Sequence, residues 1–267
     1  MKTQMTAIAA AIALAMSASA LAQTPTEPAS PEFDNSRSTI NSMAGSSYDG
    51  SGLGNDSFID QNGDDNETSV IQWGTQISRI QQDGNDNTAG VIQDDVVGGS
   101  STGENYSLIM QEKDGNQAYV NQLGQENDSI IDQGRSGSNN AYNYADVDQD
   151  GYRNDSWVEQ DGYDNLSMVT QFGSLNDSYV KSLGNYNETH TMQHGNELDS
   201  DIISAGDDNY TDVLQIGYGH DSFVRTIGDY NSSVVVQSGD YGNASQQNFS
   251  QIRTVGSSNT NYVQQGN

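Results

Sequence analysis

From Asn143 to Gln237 the chain repeats every 11 residues. Glycine recurs at Gly151, Gly162, Gly173, Gly184, Gly195, Gly206, Gly217, Gly228 and Gly239. Two residues before each stands Gln149, Gln160, Gln171, Ser182, Gln193, Ser204, Gln215, Thr226 or Gln237. Two further back lies a small aliphatic or Thr, from Val147 and Val158 to Val224 and Val235, and two before that a Ser, Thr or Ala, from Ala145 to Ser233. The unit reads Asn-x-Ser-x-Val-x-Gln-x-Gly-x-x. Four columns held in register over nine copies define a repeat protein, so the period governs every later inference.

An 11-residue period also suits a right-handed coiled coil, but these columns sit two apart rather than three and four apart. Spacing of two is the strand period and places Asn, Ser, Val and Gln on one face. A glycine in every unit would cost each helical segment about 1 kcal/mol against alanine. Val, Ile, Thr, Tyr and Phe fill the strand positions, and Gly, Asn and Asp fill the gaps. No proline follows Pro31, so no ladder N–H is missing from the repeats. Each unit is expected to form a seven-residue strand closed by an x-Gly-x-x turn.

The repeat extends in both directions. Earlier units open at Asn55, Asn66, Gln76, Asn87, Asn105, Asn116, Asn127 and Asn143, and close at Gln61, Gln72, Gln82, Gln93, Gln111, Gln122, Gln133 and Gln149. Two later units open at Asn248 and Asn259 and close at Thr254 and Gln265. Longer spacers fall between Asp94 and Glu104, Gly134 and Tyr142, and Ser238 and Gln247, and read as insertions in turns. From Asn176 the closing residue alternates between Ser or Thr and Gln, so the deeper unit there is 22 residues. The expected fold is an all-β solenoid with two strands per 22-residue rung and about nine rungs stacked roughly 4.8 Å apart.

In such a stack identical residues meet. Val would fill a dry core, while Gln and Asn would form amide ladders that fix the register. The expected ladder residues are Gln61, Gln72, Gln82, Gln93, Gln111, Gln122, Gln133, Gln149, Gln160, Gln171, Gln193, Gln215, Gln237 and Gln265, with Asn154, Asn165, Asn176, Asn187, Asn209 and Asn231. The nine glycines named above are the expected turn residues. One outward column would run Trp157, Met168, Tyr179, His190, Asp201, Asp212, Phe223 and Val234.

Composition alone would favour disorder, because hydrophobic residues make up 33% and the net charge is −28. Only the periodicity argues for order. Residues 1–22 read as a secretory signal peptide: basic Lys2, an apolar run from Ala7 to Met16, and Ala20-Leu21-Ala22 as the cleavage site. The apolar run is too short to span a membrane, and no later segment qualifies. Cleavage after Ala22 removes Lys2 and takes the charge from −28 to −29. Residues 23–54 contain Pro25, Pro28 and Pro31, lack the columns, and read as a flexible segment that either serves export or is an unfolded leader.

No cysteine is present, which excludes a disulfide framework and a thiolate metal site. Nine Lys and Arg against 37 acids argue against nucleic acid and anionic lipid as partners. No nucleophile elbow, phosphate loop or His-Glu-x-x-His motif occurs, so no catalytic residue, metal ligand or cofactor site is assigned. His190, His194 and His220 form no repeated constellation and are expected at the surface. Acidic pairs such as Asp64-Asp65 and Asp207-Asp208 suggest a calcium-binding β-roll, but the period here is 11 rather than nine and the Gly-Gly-x-Gly-x-Asp loop is absent.

The stretch from Gln160 to Gln171 (Gln-Asp-Gly-Tyr-Asp-Asn-Leu-Ser-Met-Val-Thr-Gln) resembles the curlin repeat of bacterial curli fibre subunits. Gln122 to Gln133 matches with Ile131 in the Val column, and Gln111 to Gln122 matches with Lys113 in place of the glycine. The resemblance covers about residues 55–265. It implies a non-enzymatic subunit, exported unfolded through an outer-membrane pore, that self-associates into extracellular amyloid fibres for adhesion and biofilm matrix, either as the main subunit with a nucleator as partner, as the minor nucleating subunit, or as a related fibre protein. Gln265 lies two positions from the end of this sequence, so the final rung is expected to be uncovered and ready to pair with another chain. The competing expectation is a monomeric solenoid, either an adhesin or a calcium roll.

Overall fold

The computed structural model describes residues 55–95, 104–134, 141–239 and 247–266. The segments 1–22 and 23–54, and most of the three long spacers, lie outside the described residues. All described residues belong to the compact unit spanning 33–267.

They contain no helix. In chain order the strands are β1 (Asp56–Asn62), β2 (Glu67–Trp73), β3 (Ile77–Asp83), β4 (Thr88–Asp94), β5 (Tyr106–Glu112) and β6 (Gln117–Gln125). Next come β7 (Asp128–Gln133), β8 (Tyr144–Tyr152), β9 (Asp155–Asp161), β10 (Leu166–Ser174), β11 (Asp177–Leu183) and β12 (Glu188–Asn196). The last six are β13 (Asp199–Ala205), β14 (Tyr210–Tyr218), β15 (Asp221–Ile227), β16 (Ser232–Ser238), β17 (Phe249–Val255) and β18 (Thr260–Gln265).

Odd-numbered strands form one nine-stranded parallel sheet and even-numbered strands the other, each in simple sequence order. Two consecutive strands therefore make one rung, and each rung lies on the one before it. This is the β-solenoid read from the columns, and the 22-residue unit now extends before Asn176. Like pairs with like throughout: Val169 with Val147 and Gln171 with Gln149 in the even sheet, Ser178 with Ser156 in the odd sheet. The step between rungs is 22 residues where the repeat is unbroken. It becomes 21, 29, 27 and 28 residues at the irregular spacers, yet the columns stay in register.

Alternation puts the second, fourth and sixth residues of each strand inside. The fourth position supplies the apolar spine, which includes Ile80, Ile109, Ile131, Val158, Val180, Ile202 and Val224 from the odd sheet, and Val91, Val120, Val147, Val169, Val213 and Val235 from the even sheet. Ala89, Ala118 and Ala145 join it from the second position. Thr191 replaces Val in β12 and is buried.

Two details differ from the sequence reading. The opening Asn does not begin a strand. It sits at the corner, and the strand starts one residue later, at Asp155 after Asn154, for example. The glycines also divide into two kinds. Gly162, Gly184, Gly206, Gly228 and Gly239 lie beyond the ends of their strands, as expected of turn residues. Gly151, Gly173, Gly195 and Gly217 instead lie within β8, β10, β12 and β14, which run on to nine residues. Both kinds stack closely on the glycine of the next rung. Gly151 has φ +140°, and a Cβ there would stand 1.8 Å from the carbonyl oxygen of Gly173 on the next rung. Without a side chain the ladder can continue through the corner. The single outward column also separates into two, Trp157, Tyr179, Asp201 and Phe223 on the odd sheet and Met168, His190, Asp212 and Val234 on the even sheet.

Candidate assembly interface

The sixth position of the even sheet is glutamine in every strand: Gln72, Gln93, Gln122, Gln149, Gln171, Gln193, Gln215, Gln237 and Gln265. Each Nε2 donates to the Oε1 of the glutamine on the following rung, from Gln72 to Gln93 at 2.8 Å through to Gln237 to Gln265 at 3.0 Å. The same amide crosses the core. Gln149 Nε2 lies 2.9 Å from Asp128 O on the opposite sheet, 2.9 Å from the corner carbonyl of Asn154 and 2.8 Å from Gln171 Oε1. Two hydrogens thus serve three acceptors, so the amide ties a rung to its neighbour, to the facing sheet and to its own corner.

The corner before each even strand carries a second ladder: Asn66, Asn87, Asn116, Asn143, Asn165, Asn187, Asn209, Asn231 and Asn259. Here the backbone N–H of each Asn donates to the Oδ1 of the Asn on the preceding rung, for example Asn187 to Asn165 at 3.0 Å and Asn259 to Asn231 at 3.0 Å. The two ladders point in opposite directions along the stack. In both, a buried backbone or amide group that would cost about 1–3 kcal/mol unpaired finds its partner only in correct register.

The odd sheet is built differently. Its glutamine ladder links Gln61, Gln82, Gln111, Gln133 and Gln160 and stops there. Ser182, Ser204, Thr226 and Thr254 occupy the next rungs, and Gln160 Nε2 turns across the core to Ser167 Oγ at 2.9 Å. The odd corners run Asn55, Gln76, Asn105, Asn127, Asn154, Asn176, Leu198, His220 and Asn248. Gln76 Oε1 serves as the acceptor for Asn105 N at 2.9 Å, a role that its identity as a longer amide does not announce. Leu198 N still donates to Asn176 Oδ1 at 3.2 Å, but Leu198 returns no side-chain acceptor to the next rung.

His220 corrects the expectation of a surface histidine: it is only 1% exposed. Its Nδ1 accepts from Asn248 N at 3.2 Å, so its Nε2 donates to Ile216 O at 3.1 Å and the ring is neutral. Burial holds its pKa below the usual histidine value. His220 therefore does the work of a corner amide.

The second position of the odd sheet is serine, and the hydroxyls of Ser78, Ser107, Ser129, Ser156, Ser178 and Ser200 are buried without a hydrogen-bond partner. Their small size lets the two sheets approach.

The outward first position of the odd sheet stacks Asp128, Asp155, Asp177, Asp199 and Asp221 in consecutive rungs. Burial, with the charges of Asp128 and Asp177, pushes the Asp155 carboxyl up to about 9, and Arg153 opposes the shift only in part. This column was missed in the sequence. Its signal is the triplet Asn-Asp-Ser recurring every second unit at Asn127, Asn154 and Asn176, which shows once the 22-residue unit is extended backwards.

At the ends of the stack the inward columns open to solvent. β1 and β2 at one end and β17 and β18 at the other each pair with a single neighbour among the described residues. Ile59 is 42% exposed, whereas Ile131 in the same column is fully buried. Val70 and Val263 are half-buried. Gln265 donates to Phe249 O at 2.8 Å, and among the described residues no further glutamine follows it.

Stacked backbone, amide ladders along the corners and open final rungs among the described residues define a repeat β-solenoid whose recurring columns hold the stack together. The chain carries the curlin associated repeat, which matches residues 143–173 and 206–239. The two matched segments cover β8 to most of β10, and β14 to β16; between them lie the departures Ser182, Leu198 and Ser204. No curated protein matches the chain. Among the described residues no helix is long and apolar enough to cross a membrane, and no group of three or more His, Asp or Glu side chains is placed to hold a metal ion.

Proposed function

We propose that this chain is a secreted structural subunit that polymerises through its end rungs into extracellular curli-like amyloid fibres, serving adhesion and biofilm matrix. The observation that carries this reading is the pair of open ends. The columns that bury Val and Gln inside the stack run on, unchanged in residue type, to half-exposed Val70, Gln72, Val263 and Gln265. An uncovered sheet edge of this kind pairs with another chain, and a rung of a second copy is the surface that satisfies it column by column. In this reading residues 1–22 direct export with cleavage after Ala22, residues 23–54 engage an outer-membrane pore, and a nucleator subunit starts the fibre.

Thioflavin binding and electron microscopy of the purified chain test the reading. Dye-binding fibres with a cross-β spacing near 4.8 Å are expected. A chain that stays monodisperse and fibre-free after seeding would sink it. Folding that appears only with calcium and is lost with chelator would favour a monomeric calcium roll instead.

A further inference from the structure

The two ends of the stack carry opposite charge. Residues 55–76, which form the first rung, contain five acids (Asp56, Asp60, Asp64, Asp65 and Glu67) and no Lys or Arg. Residues 247–266, which form the last, contain Arg253 and no acid. Arg253 and Asp60 occupy the same outward column, the fifth position of the odd sheet, in β17 and β1. Inside the stack that column pairs opposite charges at one step, where Lys181 Nζ lies 2.6 Å from Glu159 Oε1, while at the last step it stacks Arg225 on Arg253, which leaves Arg253 without a counter-charge in the column.

We propose that Arg253 of one copy and Asp60 of the next form the ion pair that sets the polarity and register of the joint between copies of this chain. The inference rests on the fibre reading above and adds which residues choose the joint. Continuing the stack by one rung lays β1 of the second copy on β17 of the first. Ser57 then meets Ser250, Ile59 meets Ile252, and Asp60 meets Arg253, in the register that β15 and β17 already use.

The ladders agree with this order and with no other. Every even-sheet glutamine donates towards the following rung, so Gln265 Nε2 is aimed at an acceptor on the far side, and Gln72 Oε1 of the next copy supplies one. Every even corner Asn offers its Oδ1 to the backbone N–H of the following rung, so Asn259 Oδ1 faces Asn66 N–H of the next copy. A joint between two first rungs would set five acids against five and acceptor against acceptor. A joint between two last rungs would set Arg253 against Arg253. Within its own copy Asp60 already feels the charge of Arg79 on β3, so at the joint it lies between two cations.

Charge reversal tests the pair. Seeded elongation is measured at low salt for the unaltered chain, Arg253→Glu, Asp60→Arg and the double variant, each with its own seeds. At about 0.01 M salt, where screening reaches only beyond about 30 Å, each single variant is expected to elongate roughly tenfold more slowly and the double variant to recover to within about threefold. Single variants as fast as the unaltered chain, or a double variant no faster than the singles, would overturn the pair while leaving the fibre reading intact. Absence of fibres from the unaltered chain would overturn the fibre reading itself. Because a slow variant could also be misfolded, oxidative cross-linking gives an independent measure. Stacked strands about 4.8 Å apart fall within the Cα separation of about 4.4–6.8 Å that a disulfide spans. The Asp60→Cys, Arg253→Cys double variant should yield covalent multimers in the fibre, and neither single variant should. Disulfide dimers from either single variant would show a head-to-head joint and refute the proposal.

Discussion

Replacing Asp155 with Asn should make the stack more stable at neutral and alkaline pH and flatten its dependence on pH. Asp155 stands between Asp128 and Asp177 in the outward column of the odd sheet. At a rung spacing of about 4.8 Å and an effective dielectric near 20, two ionised neighbours repel by roughly 3 kcal/mol. That exceeds the net worth of a hydrogen bond, about 1 kcal/mol, so the column holds a proton rather than full charge. Burial and these neighbours push the Asp155 carboxyl up to about 9, against about 3.9 for an unfolded aspartate. The folded chain therefore binds one proton more than the unfolded chain between those values. Its contribution to stability is complete below about pH 4 and is lost as pH rises towards 9, at about 1.4 kcal/mol per pH unit. Between pH 6 and pH 8 the loss is about 3 kcal/mol for this group alone. An amide at the same position has the same shape and no titration. Guanidinium midpoints of the unaltered chain and of Asp155→Asn, read by circular dichroism at pH 4, 6 and 8, should lie closest at pH 4 and diverge in favour of the variant as the pH rises through 6 to 8. Parallel pH profiles for the two chains would refute the reasoning.

The other substitutions act on the inside of the stack. Gly162→Ala places a Cβ 1.7 Å from the carbonyl oxygen of Gly184 at φ +132°, so the corner must open; a loss above about 3 kcal/mol, seen as a lowered midpoint, is expected. Gln193→Leu breaks the even ladder between Gln171 and Gln215. It leaves buried amide groups unpaired and should cost about 2–4 kcal/mol, whereas an unchanged midpoint would show that the ladder adds nothing. Ser178→Ala removes a buried hydroxyl that has no partner, and a midpoint raised by about 1 kcal/mol equivalent is expected; destabilisation would show that the hydroxyl is satisfied.

The period made the fold legible. Ser156, Val158 and Gln160 recur two apart, and that spacing alone turns the chain into strands with one uniform face. What the period could not supply was which half-repeat lies on which half-repeat. Asp155 and Asp177 are 22 residues apart and become neighbours only when rungs are two strands long; at an 11-residue step Asp155 would pair with Leu166 instead. The corner geometry was also hidden. Leu175, Tyr186 and Tyr230 adopt φ of 58°, 55° and 57°, a left-handed conformation that costs an ordinary side chain about 1–2 kcal/mol. Glycine would have announced it, but the position varies freely because only the backbone is constrained. His220 misled for a related reason. Histidine usually reports a surface or a ligand, and here the ring nitrogens merely reproduce an acceptor and a donor that Asn supplies elsewhere.

The unequal steps between rungs have one more consequence. Steps of 29, 27 and 28 residues leave the stacking of β3 on β5, β6 on β8 and β16 on β18 as regular as steps of 22. The excess length leaves the register of the spine untouched, and loop closure grows more costly only with the logarithm of loop length. Such a stack separates what it is built from and what it carries. Foreign peptides spliced into those three places would leave the register of the described strands unchanged, so the surface chemistry of the solenoid could change while its scaffold stayed the same.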